Sequence, residues 1–162
     1  MAPLSPTEQW HQAAETLVAL GAPLAGVEPR ASLDAETALA LALARAREDA
    51  TLLRVLPVVL ARHWRTLDWP RLETQARADG SLETLGMLLE LTGKLAGVPA
   101  LRERAERLWS RRATTEFFFS PKNQFDEELA RERTPPFARR WGFLLNMGED
   151  SFRGLFERHL AV

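Results

Sequence analysis

Apolar residues recur at helical spacing along nearly the whole chain, and the rhythm fails in only a few places. Trp10, Ala13, Ala14, Leu17 and Val18 form one stripe of a first helix, which Ser5-Pro6-Thr7-Glu8 opens with an N-cap, a proline at the first helical position and a capping-box glutamate. Gly21, Pro23, Gly26 and Pro29 then break the pattern, so 21–31 is a loop and the first helix an arm that packs back. Ser32-Leu33-Asp34 opens a second helix to about Glu48, rich in Ala and Leu. Asp49 caps a third, Ala50 to Thr66. It carries Leu52, Leu53, Val55, Leu56, Val58, Val59 and Leu60, apolar almost all round, and is therefore the expected central helix, kinked at Pro57.

A short fourth helix starts at Asp68 or Trp69 and ends at Asp79-Gly80. Ser81 is the expected cap of a fifth, whose stripe Leu82, Leu85, Leu88, Leu89, Thr92, Leu95 stops at Gly97. Val98-Pro99 begins a sixth, extending to about Arg112. From Thr114 to Phe125 no 3.6-residue period survives, and a Ser-Pro pair interrupts the run, so this stretch is expected to be extended. Asp126 to Arg133 is a short charged helix. Thr134-Pro135-Pro136 opens another, with Phe137, Trp141, Leu144 and Leu145 on one face, and Asp150 caps a last helix carrying Phe152, Leu155, Phe156 and Leu160.

The pattern predicts an all-α chain: a single-domain multi-helix bundle or short superhelix of helix pairs, ending in a helical hairpin. Its parts are an N-terminal helix and loop (1–31), a central helical core (32–112), an extended aromatic segment (113–125) and C-terminal helices (126–162). No repeat of fixed period is visible.

Composition adds exclusions. With 162 residues, 46% hydrophobic and 27% charged, the chain is long enough and apolar enough to bury a core. It has no cysteine, which removes disulfides, thiolate metal sites and a cysteine nucleophile. Residues 1–100 carry 9 basic against 12 acidic side chains and the remainder 12 against 10, with the signs interleaved, which argues against a nucleic-acid surface. The opening residues have no basic cluster before an apolar run, and no later stretch is apolar enough for a membrane span, so the expected location is the cytoplasm.

Phosphate loops, zinc helices, calcium loops and nucleophile elbows are all missing from the sequence, and no cofactor or metal site is expected. One enzymatic alternative exists: Arg153 and His159 are similar to the Arg-x(4 to 6)-His pattern of the HEPN ribonucleases, in which they would bind phosphate and move protons. Gly154 stands where that family carries a polar residue. Phe117, Phe118 and Phe119 are the most unusual local feature. Three adjacent aromatics in an extended segment cannot all face one core, so at least one points elsewhere.

The segment His63-Trp64-Arg65-Thr66-Leu67-Asp68-Trp69-Pro70-Arg71-Leu72, followed by Leu85-Gly86-Met87-Leu88-Leu89-Glu90, resembles the abortive-infection antitoxins of the AbiEi type, in their antitoxin half only. The likeness covers residues 63–90. It implies a non-enzymatic bacterial protein whose partner is a neighbouring nucleotidyltransferase toxin; self-association and a structural adaptor role are the other interaction readings. A contact inhibitor needs aromatic or arginine anchors on a rigid face, and Trp64, Trp69, Phe117, Phe118, Phe119, Arg139 and Arg140 are the candidates.

Overall fold

A computed structural model describes residues 2–111 and 114–160, and nine α-helices account for most of them. They are α1 (Pro6–Ala19), α2 (Ala35–Arg45, followed by a 3-10 turn, Ala46–Glu48), α3 (Ala50–His63), α4 (Trp69–Ala78), α5 (Leu82–Ala96), α6 (Pro99–Leu108), α7 (Gln124–Arg133), α8 (Pro136–Arg140) and α9 (Glu149–Leu160). Two strands, β1 (Glu116–Phe117) and β2 (Phe143–Leu144), pair in parallel with Glu116 opposite Phe143. The fold is an all-α helical bundle, and among the described residues no helix is long and apolar enough to cross a membrane.

Helix starts follow from side chains that satisfy orphan backbone donors. Ser5 Oγ accepts from Glu8 N at 3.2 Å, Asp34 from Thr37 N at 3.0 Å, Asp49 from Leu52 N at 3.1 Å and Asn123 from Asp126 N at 2.8 Å. Ser81 departs from expectation: its side chain caps nothing, and it is buried while its N–H donates to the Ala76 carbonyl at 2.7 Å. Gly97 ends α5 at φ 66°, a left-handed conformation that costs glycine nothing.

α3 is the centre. Every residue from Leu52 to Leu60 except Arg54 is buried, and the helix packs on α5 and α9, with α2 beyond its first turn. α1 packs on α2, α2 on α4, and α5 on α6. The 21–31 loop lies back along α1, because Thr16 Oγ1, inside the core, donates to the Gln12 carbonyl and accepts from Leu33 N at 3.0 Å.

Four boundaries differ from the periodicity. α3 ends at His63, three residues early, where the chain turns toward α4. α6 ends at Leu108; Arg112 and the start of the extended segment at Ala113 lie outside the described residues. The helix expected through Leu145 stops at Arg140, because Phe143 and Leu144 pair with β1 and bury both side chains. α9 begins at Glu149, which places Asp150 within its first turn rather than at its cap.

Candidate functional site

The turn between α3 and α4 is built by hydrogen bonds that its sequence makes possible. Leu67 N and Thr66 N both return to the His63 carbonyl, and Asp68 Oδ1 accepts from Arg71 N at 3.2 Å to start α4. The Trp69 indole then reaches back, and its Nε1–H donates to the Trp64 carbonyl at 2.9 Å. A large side chain with one donor at its tip suits this role, since the ring is buried and its N–H still finds a partner.

Trp69 is therefore a core residue, 6% exposed, and offers no anchor to a partner. Trp64 differs: it is half-buried against the core and stands between two grooves of about 390 and 400 Å³. The first is apolar along Ala61, Leu95, Val98, Phe156 and Leu160. The second is floored by Trp69 and Leu101 and rimmed by Arg65, Arg104 and Arg107, with Glu103 the only acid in its lining.

The arginines are held in different ways. Arg65 lies 4.6 Å over the Trp64 ring, and Arg104 lies 4.7 Å over Trp69 while pairing with Glu73 at 3.0 Å. Arg107 is exposed and has no ion-pair partner among the described residues. The patch thus combines aromatic faces, an apolar floor and an excess of positive charge from the α3–α4 turn and α6.

The aromatic segment forms a second place. Phe118 is 1% exposed, packed edge-on to Phe119 at 4.9 Å and to Phe143 at 5.1 Å, and so belongs to the core rather than to a docking face. Phe117 and Phe119 are half-buried and line a hollow of about 200 Å³ against α7. Arg47, just past α2, fixes this segment from some seventy residues away. Its Nε donates to the Phe118 carbonyl at 2.6 Å and its Nη2 to the Phe117 carbonyl at 2.7 Å, while its guanidinium stacks 4.8 Å over the Phe118 ring.

The remaining two candidates separate. Arg140 is spent internally: it bridges Glu90 and Glu106 and lies between the Trp109 and Trp141 rings. Partial burial pulls its pKa down, and the two carboxylates more than offset that, so it ends above its ordinary value. It lines a cleft of about 460 Å³, where Lys94, Arg102 and Arg140 face Glu90, Glu106 and Glu149 with no excess charge. Arg139 is exposed, with one Nη2 bond to the Arg131 carbonyl at 3.0 Å.

Arg153 and His159 do not converge. Both sit on α9, and six residues of α-helix place them about 9 Å apart along the axis and roughly 120° apart around it. Arg153 is also occupied by Glu149 at 3.1 Å and Glu157 at 3.5 Å. Among the described residues no three His, Asp or Glu side chains are grouped so as to hold a metal ion.

No known family, curated protein or solved structure matches this chain. The site must therefore be judged on its own geometry. The residues that carry the likeness to the AbiEi antitoxins serve the fold here: Trp69 and Leu72 are buried, and Gly86 lies against the Trp141 ring. Arg47, Arg104 and Arg107 were not among the sequence candidates. Arg104 and Arg107 stand at i,i+3 on one short helix, but nothing local ties them to Trp64, because α5 lies between. Nothing local marked Arg47.

Proposed function

We propose that this protein is a non-enzymatic interaction module whose Trp64 surface receives an acidic, partly apolar segment of another protein. The supporting observation is the second groove: Arg65 in the α3–α4 turn and Arg104 and Arg107 on α6 surround Trp64 and Trp69, with Glu103 the one acid in the lining and Glu73 paired to Arg104. Tryptophan and arginine are the side chains that dominate protein interfaces, and a rigid helical base reduces the entropy lost on binding.

The specific form of the proposal is an antitoxin that neutralises a nucleotidyltransferase toxin encoded beside it by direct contact. That step rests on the likeness over residues 63–90. The test is co-expression with the neighbouring nucleotidyltransferase and the double variant Arg65→Glu/Arg107→Glu. Both side chains are exposed, so the variant keeps the parent's unfolding midpoint. Rescue and complex formation by the parent, lost in the variant, are the expected results. Absence of such a neighbour, or equal rescue by the variant, overturns the proposal.

A further inference from the structure

α7 is the least engaged helix. It makes no extended contact with any other helix, and of its ten residues only Ala130 is buried. It is held at its base, where Thr134 Oγ1 donates to the Ala130 carbonyl and accepts from Leu145 N at 2.9 Å. Arg131 adds a contact 5.2 Å over the Phe117 ring. On its outer flank stand Phe125, 65% exposed, and Leu129, half-buried; neither packs against the core cluster. They are four residues apart and form a one-turn apolar stripe.

Charges bracket that stripe with opposite signs. Lys122 lies just before the helix and Glu132 falls on the Phe125 flank near its end, and neither has an ion-pair partner among the described residues. Glu127 and Arg131, on the other side, pair with each other at 2.9 Å.

We infer that α7 is a self-association surface, and that its occupant is the α7 of a second copy of this chain, lying antiparallel across a two-fold axis. An isologous contact requires a surface complementary to itself. The register that sets Phe125 against the second copy's Leu129 also sets Lys122 against the second copy's Glu132, while Asp126, Glu127 and Glu128 bring like charges near the two-fold axis and limit the affinity. The contact is small. A phenylalanine covers about 150 to 250 Å², so two Phe125 and two Leu129 side chains stay below the roughly 1,200 Å² of a stable interface. The dimer is weak and concentration-dependent.

Sedimentation equilibrium of the full chain, from micromolar protein up to about 1 mM, where the weakest specific affinities are read, tests this. The weight-average mass rises from 18.2 kDa toward twice that value, and Phe125→Asp weakens the association at least about tenfold, as loss of an interface anchor does. Lys122→Glu and Glu132→Lys each set like charges against each other and dissociate the dimer; mixing the two variants restores opposite charges at both ends and restores association. All three side chains are exposed, so helical circular dichroism is unchanged. A constant monomer mass, association that survives Phe125→Asp, or a mixture no more associated than its components overturns the inference. These variants leave the Trp64 surface untouched, so the outcome is independent of the toxin-binding test.

Discussion

Gly86→Ala sets two physical effects of opposite sign against each other. In the middle of an exposed helix, alanine is preferred to glycine by about 1 kcal/mol, so α5 considered alone gains stability. In the fold, a Cβ at position 86 falls 2.1 Å from Cζ3 and 2.2 Å from Cη2 of Trp141. Carbon atoms rest at about 3.5 to 4.0 Å, so the indole has to retreat by more than an ångström. Trp141 is 2% exposed and has little room to retreat. Overpacking costs about 1 to 3 kcal/mol, and a collision with two ring atoms belongs at the upper end. The net expectation is a loss of about 2 kcal/mol. Urea denaturation measures it as a lower midpoint with unchanged m-value. A double-mutant cycle isolates the cause: in a Trp141→Leu background the same Gly86→Ala change is expected to be neutral or stabilising. Equal stability of Gly86→Ala and parent, or the same loss in both backgrounds, would refute the close-approach explanation.

Two further outcomes are expected. Arg47→Ala removes two charge-assisted bonds to the Phe117 and Phe118 carbonyls and the cation stacked on Phe118, for a loss of about 2 to 3 kcal/mol. Arg47→Lys recovers only a minor part, because one ammonium lacks the planar fork that reaches both carbonyls; full recovery by lysine in thermal unfolding contradicts the clamp. For Asp34, partial burial raises the carboxyl pKa, but the Thr37 bonds and the Arg71 charge outweigh it, and the folded value lies below the ordinary one. A depressed folded pKa means stability that is present above the unfolded value, near 4, and lost as pH falls through the folded value. Asp34→Asn, which still caps α2 but loses the Arg71 ion pair, is expected to be less stable than the parent near neutral pH and to converge with it as pH falls through the folded value; a difference that does not shrink in acid, measured by pH-dependent denaturation, counts against this assignment.

Features set by neighbours in the chain were legible. Ser5, Asp34, Asp49 and Asp68 cap the helices they precede, Gly97 ends α5, and the all-round apolar run from Leu52 to Leu60 is the core of the fold. Features set by partners far along the chain were not. Leu144 sits at helical spacing with Phe137 and Trp141, yet it and Phe143 pair as a strand because Glu116 and Phe117 offer a partner. Trp69 looks like a surface anchor until its N–H is traced to the Trp64 carbonyl. In the aromatic segment, the central ring went inward and its neighbours partly outward, as strand alternation requires, but which ring took the core depended on Arg47 and Phe143. Exposure of Phe125 was not legible, since the periodicity left it in the extended segment and the Asn123 cap instead places it in the first turn of α7.

The last turn of α3 holds both ends of the bundle. His63 Nε2 lies 2.6 Å from the Leu20 carbonyl, and Arg62 Nη2 donates to the His159 carbonyl at 2.7 Å. The second bond spans 97 residues. During synthesis at 5 to 20 residues per second, α9 therefore follows its partner by roughly 5 to 20 s. For that interval the central helix is already made and still uncovered on the flank that α9 closes. Until α9 emerges, that flank of α3 is open to aggregation, and a holding chaperone would act upon it.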